Sequence, residues 1–118
     1  MSYDLAVWEG DRPADDAAAG AEYKRLYKAY IEVAEFEPPT PRITAYVEAL
    51  LARYPDISTE EGEDSPWSTG PLITEAVGPI IYFPMVWSQC VEVSEWAARV
   101  AHDHGLVCYD PQHSTLRP

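Results

Sequence analysis

The chain has 118 residues, 47 % of them hydrophobic and 24 % charged, which suits one domain with its own core and argues against global disorder. Twenty Asp and Glu against eight Lys and Arg leave a formal charge of -12, which excludes a surface built to hold duplex nucleic acid or an anionic membrane. No apolar run approaches the ~20 residues of a membrane span, and Met1-Ser2-Tyr3-Asp4 does not read as the start of a secretory signal.

Between Ser2 and Trp8, Tyr3, Leu5 and Val7 alternate with Asp4 and Ala6, the period of a strand. Gly10 and Pro13 end it. Asp15 or Asp16 then caps a helix whose apolar stripe is Tyr23, Leu26, Tyr27, Tyr30, Ile31 and Ala34, closed by Pro38-Pro39. Thr40-Pro41 opens a second helix with the stripe Ile43, Tyr46, Val47, Leu50, Leu51 and Tyr54, stopped by Pro55.

Residues Asp56 to Pro66 carry five acids and one large apolar side chain, and read as a solvated, mobile loop. Leu72–Val77 and Ile80–Trp87 read as strands joined into a hairpin by Gly78-Pro79. Pro84 predicts a bend, a bulge or a departure from the ladder in the second of them. Ser88 caps a third helix with Val93, Trp96, Ala97, Val100, Ala101 and His104 along its stripe, stopped by Gly105. Leu106–Tyr109 is a last strand, turned by Asp110-Pro111-Gln112.

The order is strand, helix, helix, strand, strand, helix, strand. It predicts an α+β, ferredoxin-like split βαβ sandwich with a four-stranded sheet and the helices on one face. Residues 1–112 form the domain, and 113–118 a C-terminal tail.

Cys90 and Cys108 read as reduced, buried thiols of a cytoplasmic protein, with one structural disulfide as the alternative. The histidines supply no metal site: His102 and His104 are two apart and point to opposite sides of a helix, and each suits the negative helix end. Asp56 to Trp67 fails the calcium-loop pattern at its sixth and twelfth positions, Glu61 and Trp67. Cys90, near a helix start, has His102 and His104 three turns or more away, about 18 Å along the helix, which leaves only His113, in the tail, able to swing in as a base. No catalytic residue, metal or cofactor is therefore assigned.

The opening Ser2-Tyr3-Asp4-Leu5-Ala6-Val7-Trp8, Pro66-Trp67 behind the acidic loop, Val86-Trp87-Ser88 and the closing Gly105-Leu106-Val107-Cys108-Tyr109-Asp110-Pro111-Gln112 resemble a family of small bacterial proteins, chiefly actinobacterial, with no established activity. The resemblance implies a bacterial, cytosolic setting. In size and charge alone the chain is also similar to immunity proteins that block toxins.

Eight tyrosines and four tryptophans against two phenylalanines are a surplus of the side chains that favour interfaces. Tyr23, Tyr27, Tyr30, Tyr46 and Tyr54 lie on helical stripes and read as core edge. Trp67 lies outside any stripe: it either plugs the loop against the core or stands exposed for a partner. The acidic balance favours a non-catalytic module that binds a protein, a basic one in its most concrete form, such as a cationic toxin or enzyme. The partner-binding residues assigned on this basis are Glu60, Glu61, Glu63, Asp64 and Trp67. The alternative is a small ferredoxin-like enzyme or ligand-binding domain, with a homodimer in view and with Tyr82, Tyr109 and the Pro84 region lining a cleft.

Overall fold

Ser2–Trp8 forms the strand its alternation predicts, β1, and lies at the centre of a sheet. The structure, a computed structural model, describes residues 2–33 and 36–118. Along the chain follow helix α1 (Asp16–Leu26), α2 (Pro41–Arg53), strands β2 (Ala76–Val77) and β3 (Ile80–Val86), helix α3 (Cys90–Asp103), and strands β4 (Val107–Asp110) and β5 (Thr115–Leu116). The sheet order is β2-β3-β1-β4-β5, with every neighbouring pair antiparallel. The architecture is therefore α+β, with five strands rather than four.

The fifth strand comes from residues expected to be a tail. Thr115 and Leu116 pair with Asp110 and Tyr109. The Arg117 N–H donates to the Cys108 carbonyl, and Leu116 donates outward to the Asp16 carboxylate. That carboxylate occupies an edge donor that would otherwise invite another strand.

The helices lie on both faces, not one. Leu5, Val7, Ile81 and Phe83 share a core with Ile43, Tyr46, Val47 and Leu50 of α2 and with Val93, Ala97 and Ala101 of α3. Ala6, Trp8, Ile80, Val107 and Tyr109 form a second cluster with Ala19 and Leu26 of α1. Ala6 and Trp8 are both apolar and buried, so from Leu5 on β1 has no wet face, and a second layer must cover it.

Local signals decide most helix ends. Asp15 accepts from the Ala18 N–H (2.8 Å) and Thr40 from the Ile43 N–H (3.3 Å), each as N-cap. Gly105, at φ +70°, closes α3: its N–H donates to the His102 carbonyl and the Leu106 N–H to that of Ala101. Ser88 does not cap α3. It sits in a 3₁₀ turn, Trp87–Gln89, whose own bond brings the Cys90 N–H to the Trp87 carbonyl.

The first helical run does not reach Pro38-Pro39. After α1 it widens into a π turn, Tyr27–Ile31, and then bends; Ala34 of its expected stripe is outside the described residues. The following segment exchanges two bonds with the hairpin turn, Gly78 N–H to the Glu37 carbonyl and Thr40 N–H to the Gly78 carbonyl. It thereby carries the chain from the α1 face to the α2 face. Gly78 has φ +52°, and a Cβ there would meet the Tyr30 ring at 3.1 Å.

The ladder runs through Pro84 without a break, pairing Asp4 with Pro84. The Pro84 carbonyl accepts from Ser68 on the side away from β1. The missing N–H therefore faces that outer edge too, where β1 does not need it. Leu72–Glu75, expected as strand, is a 3₁₀ turn, because the Leu72 N–H is taken by Asp56 Oδ2 (2.9 Å).

Asp56 anchors the 56–66 loop, which is solvated as expected at 57–61, Glu63 and Asp64. Asp56 itself is buried, accepts from the Ser58 N–H and hydroxyl, and its carbonyl accepts from Thr59. Gly62 packs on it: a Cβ there would overlap the Asp56 carbonyl group and lie 2.8 Å from Ile57 Cα. Gly62→Ala should therefore cost about 2 kcal/mol by overpacking, read as a shifted urea midpoint with an unchanged slope. A variant as stable as the parent would mean the loop yields freely.

Candidate functional site

The five residues singled out by sequence do not form one surface. Glu60, Glu61, Glu63 and Asp64 are exposed, the first two in a 3₁₀ turn, Glu60–Gly62. Trp67 is fully buried. Its indole N–H donates to the Tyr54 carbonyl (2.9 Å), and its ring meets Tyr54 and Phe83 edge-on, with centroids 6.0 and 5.8 Å away. Of the two readings the core plug is the one observed, and Trp67 is not a partner contact.

Another tryptophan takes the exposed position. Trp87 is 50 % exposed and Val91, one turn on, 73 %. The Trp87 ring lies 6.1 Å from that of Tyr3, and Glu92 and Glu95 are exposed on the same side of the sequence. The Val86 N–H donates to the Pro66 carbonyl (2.6 Å), so the acidic loop ends against the residue preceding Trp87. In sequence Trp87 has no site role because it reads as the last residue of the strand Ile80–Trp87. Its helical spacing to Val91 was the available signal.

Beside this patch, α3 and the C-terminal segment border an open hollow of about 410 Å³, lined in part by Tyr3, Val91, Ser94, Glu95, Asp110, His113 and Arg117. Asp110 is its hub, with a side chain only 5 % exposed. It accepts from the Tyr3 hydroxyl, from Gln112 Nε2 (2.7 Å), from the His113 N–H (3.2 Å) and from His113 Nδ1 (2.9 Å). Because a carboxylate only accepts, the His113 proton is assigned to Nδ1. Burial alone would raise the Asp110 carboxyl, but the bonds from Tyr3, His113 and Gln112 outweigh it and hold the group below the ordinary carboxylate range. Burial, then the bond to Asp110, push the Tyr3 hydroxyl up.

Gln112 ties the hub to β1. It donates to the Asp4 carbonyl (2.7 Å) and accepts from the Asp4 N–H (2.6 Å). The side-chain amide thus stands in for a strand residue where β4 has ended. Asp110-Pro111-Gln112 was legible as a turn, and an Asp at its first position commonly accepts from the backbone further along. Tyr3 lies 107 residues away in sequence, and nothing local announces that partner.

The remaining candidates are structural. His104 Nδ1 lies 2.9 Å from the Val100 carbonyl, with its ring edge-on to Tyr46. Cys90 and Cys108 are buried free thiols, and burial pushes the Cys108 thiol up to about 12. No group of three or more His, Cys, Asp or Glu among the described residues is placed to hold a metal. Tyr82 donates to Asp4 Oδ2 (2.7 Å) under Tyr23 and Tyr27, and Tyr109 lies buried beneath α1. Both are therefore on the α1 face of the sheet. No described helix is long and apolar enough to cross a membrane.

No protein-family model, curated protein or solved structure matches the chain.

Proposed function

We propose that this chain is a non-catalytic protein-binding module of the immunity type, which neutralises a cationic toxin or enzyme. The observation that carries the reading is Trp87: a half-exposed aromatic beside exposed Val91, with the acidic loop tethered next to it. Charge near -12 speeds encounter with a cationic surface, and an aromatic anchor resists dissociation. Glu60, Glu61, Glu63 and Asp64 keep their recruiting role in this reading, and Trp87 takes the anchoring role that Trp67 cannot fill.

The proposed fold family is the ferredoxin-like split βαβ sandwich, built by β1, α2, β2, β3, α3 and β4, with α1 and β5 as additions. The order β2-β3-β1-β4 supports it. Two buried free thiols suit a reducing bacterial cytoplasm, in keeping with membership of the actinobacterial family.

The test is capture from bacterial lysate at low salt, followed by kinetics on the retained protein. A basic partner should elute with salt. Trp87→Ala should raise its dissociation rate about tenfold or more without moving the melting temperature. Replacing the four acids with amides should mainly slow association. Absence of a basic partner, or equal affinity for Trp87→Ala, refutes the proposal.

A further inference from the structure

Arg117 stands apart by burial. Like Arg12, Lys24, Lys28, Arg53 and Arg99 it has no carboxylate within ion-pair distance among the described residues, but those five are exposed and Arg117 is half-buried. One nitrogen donates to Ser94 Oγ (2.6 Å), and Nε is fully buried with no partner. A half-buried guanidinium has five N–H donors and gains from a counter-anion.

The neighbouring carboxylates do not fill that role. Both Asp110 oxygens are occupied by Tyr3, Gln112 and His113. Glu95 lines the hollow but stays exposed. His113 has its Nδ1 committed to Asp110 and supplies no second counter-charge. The volume, about 410 Å³, is that of a small-ligand pocket.

We propose that the hollow between α3 and the C-terminal segment binds a small oxyanion, a carboxylate or a phosphate, on Arg117. The hollow borders the docking surface through Val91, but anion binding is read without any partner present, so either reading can fail while the other holds.

The experiment is a titration of the full chain with inorganic phosphate and, separately, acetate at constant ionic strength, followed by nitrogen–proton correlation spectra. The Arg117 Nε–H and Ser94 amide should shift saturably with at least one anion, with a Kd of about 1 mM or tighter. The two arms separate phosphorylated from carboxylate ligands. Arg117→Gln should abolish the shift at Ser94. Because that change also removes the tie to Ser94, Glu95→Gln is the second variant: it leaves Arg117 in place, removes a repelling charge, and should tighten binding about threefold. Shifts that never saturate with either anion, or an affinity unchanged in either variant, overturn the proposal.

Discussion

Trp67→Ala should lower stability by about 4 kcal/mol and the melting temperature by roughly 15 °C. The ring is fully buried between Tyr54 and Phe83, and its segment bridges to Met85 at the edge of β3. Alanine would leave a cavity there and an unpaired Tyr54 carbonyl at the end of α2. Trp67→Phe keeps most of the apolar area and loses the indole bond, so it should cost about 1–2 kcal/mol. Urea unfolding followed by circular dichroism reads both, with Trp87→Ala as the surface control. A loss below about 1 kcal/mol for Trp67→Ala would contradict the plug role, since most large-to-small core changes exceed that.

Asp110→Ala should cost about 3 kcal/mol. It strands the Tyr3 hydroxyl in a buried position and frees Gln112 and His113 from the turn. Faster hydrogen exchange at Leu116 and Arg117 should accompany the loss, because the turn sets the register of β5. Exchange unchanged in those amides would show that β5 holds by its own bonds. The carboxyl also sets an acid dependence. Its folded-state pKa lies below the ordinary value, near 3.9 for the unfolded chain. Its contribution is therefore complete above about pH 4 and is lost as pH falls through the lower folded value. Thermal melts below about pH 4 should fall more steeply for the parent than for Asp110→Asn.

Local features were legible where one residue type carries its own geometry. Thr40-Pro41, Gly78 and Gly105 each did what their chemistry demands, and β1 and α2 followed their periods. The layer count was not legible. Ala6 and Trp8 need a cover on the second face, but in isolation they read as the quiet side of an alternating strand. β5 is two residues long, too short for any period to show. The loop from 56 to 66 is solvated where its acids dominate the composition. Its order comes from Asp56 and Gly62, whose roles depend on contacts with Leu72 and with each other. Whether Trp67 is a plug or a contact turns on the Tyr54 carbonyl, an acceptor that exists only once α2 has ended. The Asp110 hub joins the two extremes of the described chain, beyond the reach of local spacing.

The central place of β1 has a consequence for synthesis on the ribosome. Its neighbours in the sheet begin at Ile80 and Val107. At about 5–20 residues per second, the first strand waits several seconds for β3 and longer for β4. Until then Leu5, Val7 and Trp8 have no sheet to enter, and the nascent chain displays an unpaired apolar strand. Contacts of such sequence separation also slow folding once the chain is released. Chaperone demand during translation, rather than equilibrium stability, is therefore expected to limit the yield of folded protein when its synthesis is driven hard.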